Sequence, residues 1–236
     1  MNLFYQPNIN DTSKEVRFEK EESRHIVKVL RKVEGDTISL TNGKGFIFEA
    51  ELTDTNSKRC VAEIIAIKKQ APLPYQLHLA VAPTKLNDRY EWFLEKATEI
   101  GVTEITPIIC DHSERKVINH ERYSKVIQSA MKQSLKAYLP VLREAVSFKT
   151  FLEMKHKEEI QCIAHCENFP KEPLKKLLKN TSSILIIIGP EGDFSINEIK
   201  RALSHNIKGI SLGNSRFRTE TAAILACHSV YFTEIE

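Results

Sequence analysis

Hydrophobic positions recur with two different periods along this chain, and the change of period divides it. Over residues 1–70 short apolar runs alternate with polar residues, and Phe4-Tyr5, Val16 to Phe18, Thr37 to Leu40, Gly45 to Leu52 and Cys60 to Ile67 each predict a strand. The Asn42-Gly43 pair predicts a hairpin between two of them, since both residues tolerate positive φ. One helix interrupts the strands. From Ser23 to Val33, the residues Ile26, Val29, Leu30 and Val33 make an apolar stripe, with Arg24, Lys28, Arg31 and Lys32 on the opposite side. Lys68 to Pro74 then combines charge with two prolines, which disfavour helix and central strand, so the expected division is 1–70 and 71–236.

Beyond that linker, strands alternate with helices. Gln76 to Ala82 predicts a strand, and Tyr90, Phe93, Leu94, Ala97 and Ile100 mark the buried side of a helix that stops at Gly101. Ile105 to Ile109 follows as a strand. Helices are expected at 120–136, 147–156, 172–179 and 219–232, with strands at 160–164, 184–188 and 208–212. This alternation predicts an α/β fold with a mostly parallel sheet covered on both faces.

Composition narrows the class. The 236 residues are 42% hydrophobic, enough for a real core, and the longest aliphatic run, Ile184 to Ile188, is far too short to cross a bilayer. Met1 to Phe4 begins no basic-then-apolar signal, so a soluble, cytoplasmic protein is expected. Five cysteines lack CxxC spacing, which signals neither a disulfide framework nor a zinc ribbon. Cys162, His165 and Cys166 are soft ligand types, but a buried strand end explains them equally well, and no metal is expected. A net charge of +3 is too small to identify a nucleic-acid partner by itself. Any such footprint is local, and the four cations of the first helix suit either phosphate or plain solvent.

Glycine is scarce, and four of the eight, Gly189, Gly192, Gly209 and Gly213, fall in the last quarter. Around the first pair the apolar strand to Ile188 ends in Gly189-Pro190-Glu191-Gly192-Asp193, and Ser195 to Glu198 supplies a capping box for a following helix. Strand, turn and helix in that order form the usual ligand site of open α/β sheets. Exposed amides at a helix start attract anions, but Glu191 and Asp193 put two negative charges in the turn, and neither phosphate-loop pattern is present. A cationic ligand suits the loop better, and S-adenosylmethionine is one. A second loop, Leu212 to Ala222, repeats the strand, glycine turn and helix, and places Arg218, Thr219 and Glu220 at the helix start. Helix capping accounts for Thr219 and Glu220, but Arg218 stands at the unfavourable end of the helix dipole, which favours a functional role.

These segments resemble the RsmE family of the SPOUT superfamily, enzymes that methylate N3 of a uridine in 16S ribosomal RNA. The resemblance spans the chain. It rests on His25 to Arg31, Gly35-Asp36, Asn42-Gly43, Glu95 to Val102, Ile188 to Gly192, and Leu212-Gly213 through Arg218 to Ala222. It implies a small PUA-like β-barrel domain for RNA, a trefoil-knotted α/β domain for the methyl donor, and a homodimer. The knot is implied by the resemblance alone, since the general avoidance of knots predicts an ordinary doubly wound sheet. Four positions depart from the family pattern: Asp193 replaces a glycine, Arg216 an apolar residue, and Leu135-Lys136 a glycine-arginine pair.

The resemblance implies a donor pocket of His165, Ile188, Gly189, Pro190, Glu191, Gly192, Leu212, Gly213, Phe217, Arg218 and Thr219. RNA contacts are expected from Arg24, His25, Lys28, Arg31, Lys32 and Lys136. The uridine imide must lose its N3 proton, so Arg218 is expected to stabilise the developing oxyanion and Glu220 to act as base, with Glu191 as the second candidate. Two other readings stay open: a related knotted enzyme acting on ribose O2′ or another base, and an RNA-binding protein without catalysis.

Overall fold

A computed structural model describes residues 2–178 and 181–235. The chain divides into two compact units, Met1–Pro72 with Met131–Leu139, and Leu73–Ala130 with Pro140–Glu236.

The first unit holds β1 (Leu3–Tyr5), β2 (Glu15–Arg17), α1 (Lys20–Arg24), a π-helical turn (His25–Val29), β3 (Thr37–Thr41), β4 (Phe46–Asp54) and β5 (Val61–Lys69). Its sheet runs β1-β3-β4-β5-β2, antiparallel except for the β1–β3 pair. The strict alternation in β4 turns Phe48, Ala50 and Leu52 inward, where they meet Phe4, Phe18, Ile26 and Leu40 in one core, and leaves Glu49 and Glu51 exposed. The expected strands are all present, with β5 running on into the predicted linker to Lys69.

The expected helix over Ser23–Val33 is corrected. Helix begins at Lys20 and widens at His25, where the Leu30 amide reaches back five residues to the His25 carbonyl at 2.9 Å. That wider turn rotates the following side chains away from the α-helical stripe. Val27 and Leu30 therefore pack beside Ile26, while Val29 and Val33 are 66% and 62% exposed.

The second unit holds β6 (Gln76–Val81), α2 (Asn87–Ile100), β7 (Glu104–Ile109), α3 (His120–Gln133), β8 (Val141–Leu142), β9 (Val146–Ser147), α4 (Phe148–Glu153), β10 (Ile160–Ala164), β11 (Glu172–Pro173), α5 (Leu174–Leu177), β12 (Ser183–Ile188), α6 (Ile196–Ser204), β13 (Lys208–Ser211) and α7 (Thr219–Ile235). Helix α3 ends within the segment Met131–Leu139 that belongs to the first unit. Every strand pair of the second unit is parallel, in the order β11-β13-β10-β12-β6-β7-β8, with β9 also on β7. On central β12, Leu185 and Ile187 face α4 and α6 through Phe148, Phe151, Ile199 and Ala202. The alternate residues of β12 face the other side, which α7 covers while packing along α2.

Two local expectations differ here. The helix over 172–179 is α5 alone, because Glu172 and Pro173 pair with Ile210 and Ser211 as a strand; residue 179 lies outside the described residues. The ordinary doubly wound order is also replaced, since β13 sits between β10 and β11.

Candidate active site and nucleic-acid face

Parallel strands deliver their carboxyl ends to one edge of a sheet, and the loops that follow β10, β12 and β13 meet there. After β12 the chain turns sharply at Gly189-Pro190, closed by the Asp193 amide on the Pro190 carbonyl at 3.0 Å. A Cβ on Gly189 would lie 2.8 Å from the Phe194 ring, so the buried phenyl can seat under the turn only where no side chain intervenes. Ser195 then caps α6 in the expected reciprocal fashion. Its hydroxyl accepts from the Glu198 amide at 3.2 Å, and its own amide donates to the Glu198 carboxylate at 2.8 Å.

The loop after β13 turns at Gly213, with φ +138°, a conformation that L side chains rarely adopt. Its far end is tied to the first loop. Thr219, at the start of α7, donates its hydroxyl to the Gly189 carbonyl at 3.0 Å.

The third loop follows β10, and Asp193 fastens it. One Asp193 oxygen accepts from the Cys166 amide at 2.8 Å and the other from the Phe194 amide at 2.8 Å, although Asp193 itself has φ +60°. Aspartate visits that left-handed region more readily than most residues because its short carboxylate satisfies nearby amides. The departure from glycine at 193 therefore keeps the turn and adds a fastening to the neighbouring loop. Lys171 closes the same loop by donating to the His165 and Cys166 carbonyls at 3.2 and 3.3 Å.

Together the three loops enclose a cavity of about 600 Å³. Of the expected donor residues, His165, Ile188, Gly189, Pro190, Glu191, Leu212, Gly213, Phe217, Arg218 and Thr219 line it. Gly192 does not: it faces His112, whose Cβ would stand 3.1 Å from a Cβ at that position. Glu220 does not line the cavity either. One residue further along α7 than Thr219, it is rotated by about 100° and buried instead, with Oε1 3.8 Å from the Arg89 guanidinium on α2. Glu191 remains in the wall, its Oε1 accepting from the Lys85 amide at 2.9 Å.

The sequence pattern missed Cys166, Lys171, Asn214, Ser215 and Arg216, which also line the cavity. The rule that ligands collect beyond the carboxyl ends of parallel strands, applied to the strand at 160–164 as it was to the next two, finds the first two. His165 is 7% exposed, and neither ring nitrogen makes a well-formed hydrogen bond among the described residues. Burial and the nearby Lys171 charge hold its pKa below the usual histidine value, so the imidazole is uncharged at neutral pH. A neutral ring with unused donor and acceptor capacity, beside two carboxylates in the wall, suits a polar ligand that carries positive charge.

In the first unit Arg24, His25, Lys28 and Arg31 are exposed, and Lys32 is half-buried, 3.8 Å from Asp36. Arg31 has φ +54°, where the chain leaves the π turn. Lys136 lies in the Met131–Leu139 segment of the same unit, which is fastened by the Gly45 amide on the Ala137 carbonyl at 2.9 Å.

A family model described as an RNA methyltransferase domain matches residues 71–231, and one described as an RNA methyltransferase PUA domain matches residues 18–65. The parallel sheet with its loop-walled cavity, preceded by a PUA-like β-rich domain, is thus that of an RNA methyltransferase. The chain belongs to the ribosomal RNA small subunit methyltransferase E family. It is 32% identical to that enzyme from Rickettsia conorii over 87% of this chain and 85% of the relative. A probable rRNA-methyltransferase from Porphyromonas gingivalis superposes with a TM-score of 0.89 at 37% identity, covering 99% of this chain and 98% of the other. The ribosomal RNA small subunit methyltransferase E of Neisseria gonorrhoeae, crystallised bound to S-adenosyl methionine, gives 0.84 at 28% identity over 96% and 95%.

Proposed function

We propose that this chain transfers a methyl group from S-adenosylmethionine to N3 of a uridine in the 16S ribosomal RNA of the small ribosomal subunit. The observation that carries this reading is the Thr219–Gly189 bond, which joins the two glycine loops into the wall of one cavity. At about 600 Å³ the cavity is of the size that encloses a cofactor. The donor supplies an electrophilic methyl group on a sulfonium. Backbone at Ile188 to Pro190 and Leu212-Gly213 would hold it, with His165 and Phe217 against it and the charges of Glu191 and Asp193 complementing its own.

Arg218, exposed at the mouth beside Thr219, stabilises negative charge on the uracil carbonyl oxygens as N3 gives up its proton. Glu191 takes the base role in preference to Glu220, since Glu191 lies in the cavity wall and Glu220 does not. Incubation of unmodified small-subunit RNA with enzyme and donor, followed by nucleoside analysis, should yield N3-methyluridine. Arg218→Ala should lower kcat by roughly 10²–10³, and Glu191→Gln should also depress it. A ribose-methylated product would reassign the acceptor, and RNA binding with no calorimetric signal from the donor would remove catalysis altogether.

The RNA-binding role belongs to residues 1–70 and the methyl transfer to residues 71–236; Arg24, His25, Lys28, Arg31 and Lys32, joined by Lys136 of the Met131–Leu139 segment, hold phosphate. Each single removal among Arg24, Lys28, Arg31 and Lys32 should reduce the salt slope of RNA binding by about 0.7–0.9; unchanged slopes in all four would return these side chains to solvent. A knotted chain is supported by β13, which lies inside the span that leaves β10, forms β11 and returns to β12. The enzyme acts as a homodimer in the cytoplasm, where its RNA resides, and light scattering at the mass of one protomer would remove the dimer. Among the described residues no helix is long and apolar enough to cross a membrane.

A further inference from the structure

At the amino ends of the same parallel strands, away from the loops that wall the cavity, His78 of β6 meets His156 and Glu158, which lie between α4 and β10. One donor atom from each of the three lies within 4.8 Å of the others, and among the described residues this is the one such group. We propose that His78, His156 and Glu158 bind a divalent transition-metal ion, for which zinc has the matching chemistry.

The argument rests on what the other ring nitrogens do. His156 Nε2 stands 2.7 Å from the Phe151 carbonyl and so carries the proton, which leaves its Nδ1 with a lone pair. His78 Nε2 stands 2.8 Å from the Thr106 hydroxyl, and its Nδ1 faces Glu158 Oε1 at 2.7 Å. Each imidazole thus has one nitrogen anchored to an oxygen outside the cluster, the arrangement by which proteins fix the tautomer and aim of metal-bound histidines. The third member is a carboxylate with spare capacity. Glu158 is 15% exposed, and its Oε2 is buried with no hydrogen-bond partner among the described residues, so an acceptor oxygen is left over beside two imidazoles. Burying such an oxygen unpaired is costly, and an ion that replaces the proton between His78 and Glu158 relieves the cost. Two histidines and a glutamate form a recognised zinc ligand set, and imidazole with carboxylate suits this ion better than the oxygen-only sets of magnesium or calcium.

The ion would clamp β6 to the segment that leads into β10, the strand whose far end carries His165 and Cys166. Its role is therefore in holding the sheet, and the inference stands independently of the methyl-transfer reading. Full-length protein freed of metal by chelation and desalting should take up one equivalent of Zn²⁺ by calorimetry and elemental analysis, and its melting temperature should rise. Co²⁺ in place of Zn²⁺ should give a visible d–d spectrum that Glu158→Gln alters. Glu158→Gln keeps the shape of the side chain and should abolish stoichiometric uptake, while Thr106→Val, which removes only the His78 anchor, should weaken it about tenfold. Absence of uptake by the parent protein at micromolar Zn²⁺ would reduce the cluster to a hydrogen-bonded pair and overturn the proposal. Equal uptake by parent and Glu158→Gln would do the same by placing the ion elsewhere.

Discussion

The two ends of the parallel sheet solve opposite problems with the same strands. At the carboxyl ends, Gly189 and Gly213 shape turns that present backbone, and the cavity wall keeps the His165 ring without a well-formed hydrogen bond among the described residues. At the amino ends, side chains are drawn to one another: Glu104 stands 3.8 Å from His78 and 2.7 Å from Arg143, while Thr106 and Glu158 hold the two nitrogens of the His78 ring. One end keeps a whole imidazole in reserve for a ligand, and the other pairs most of its polar atoms internally while leaving Glu158 Oε2 over. Unsatisfied polar atoms cost stability wherever they are buried, so their concentration at His165 marks where a partner is meant to arrive.

The sharpest way to break this contrast is to fill the carboxyl end. A Cβ on Gly209 would stand 2.4 Å from the Pro170 carbonyl oxygen and 3.0 Å from His165 Nε2, and a backbone atom cannot step aside as a flexible side chain can. Gly209→Ala should cost about 1–3 kcal/mol in denaturant unfolding, and should weaken donor binding because the displaced loop carries His165 and Cys166. Donor affinity equal to that of the parent would show that the close approach serves packing alone.

A smaller effect sharpens the same contrast through pH. His165 has its pKa depressed by burial and by Lys171, so its contribution is complete above the unfolded histidine pKa of about 6.5 and is lost as pH falls toward the folded value. Protonation would place a positive ring against a positive donor. Calorimetric donor affinity should therefore decline as pH falls through the depressed folded pKa, below the ordinary histidine range, and His165→Asn, which has no proton to gain, should flatten that decline. Parallel pH profiles for the two proteins would assign the decline to another group.

Local features were legible in the sequence and non-local ones were not. The run to Ile188, the stop at Gly101 and the Ser195–Glu198 box are each decided by residues a few positions apart, and each stands where the pattern puts it. Strands of two residues such as β8, β9 and β11 carry no period of their own and exist because β7 and β13 offer them an edge. The π turn at His25 escaped for a related reason, since one extra residue in a turn shifts every later side chain without changing composition. In the site, the two glycine loops were recognisable from their strand, turn and helix order. The direction of Glu220 and the third wall with Lys171 depended on packing that no short segment encodes.

The position of β13 bears on how the enzyme comes into being. A chain that lacks residue 208 contains the residues of β10 and β12, yet lacks the strand that pairs with β10 and gives β11 its edge, and the loop that supplies half of the cavity wall. A donor that recognises the assembled wall adds stability only to chains that have completed this insertion. Any ligand held by that wall stabilises finished molecules and leaves earlier intermediates to fold unaided.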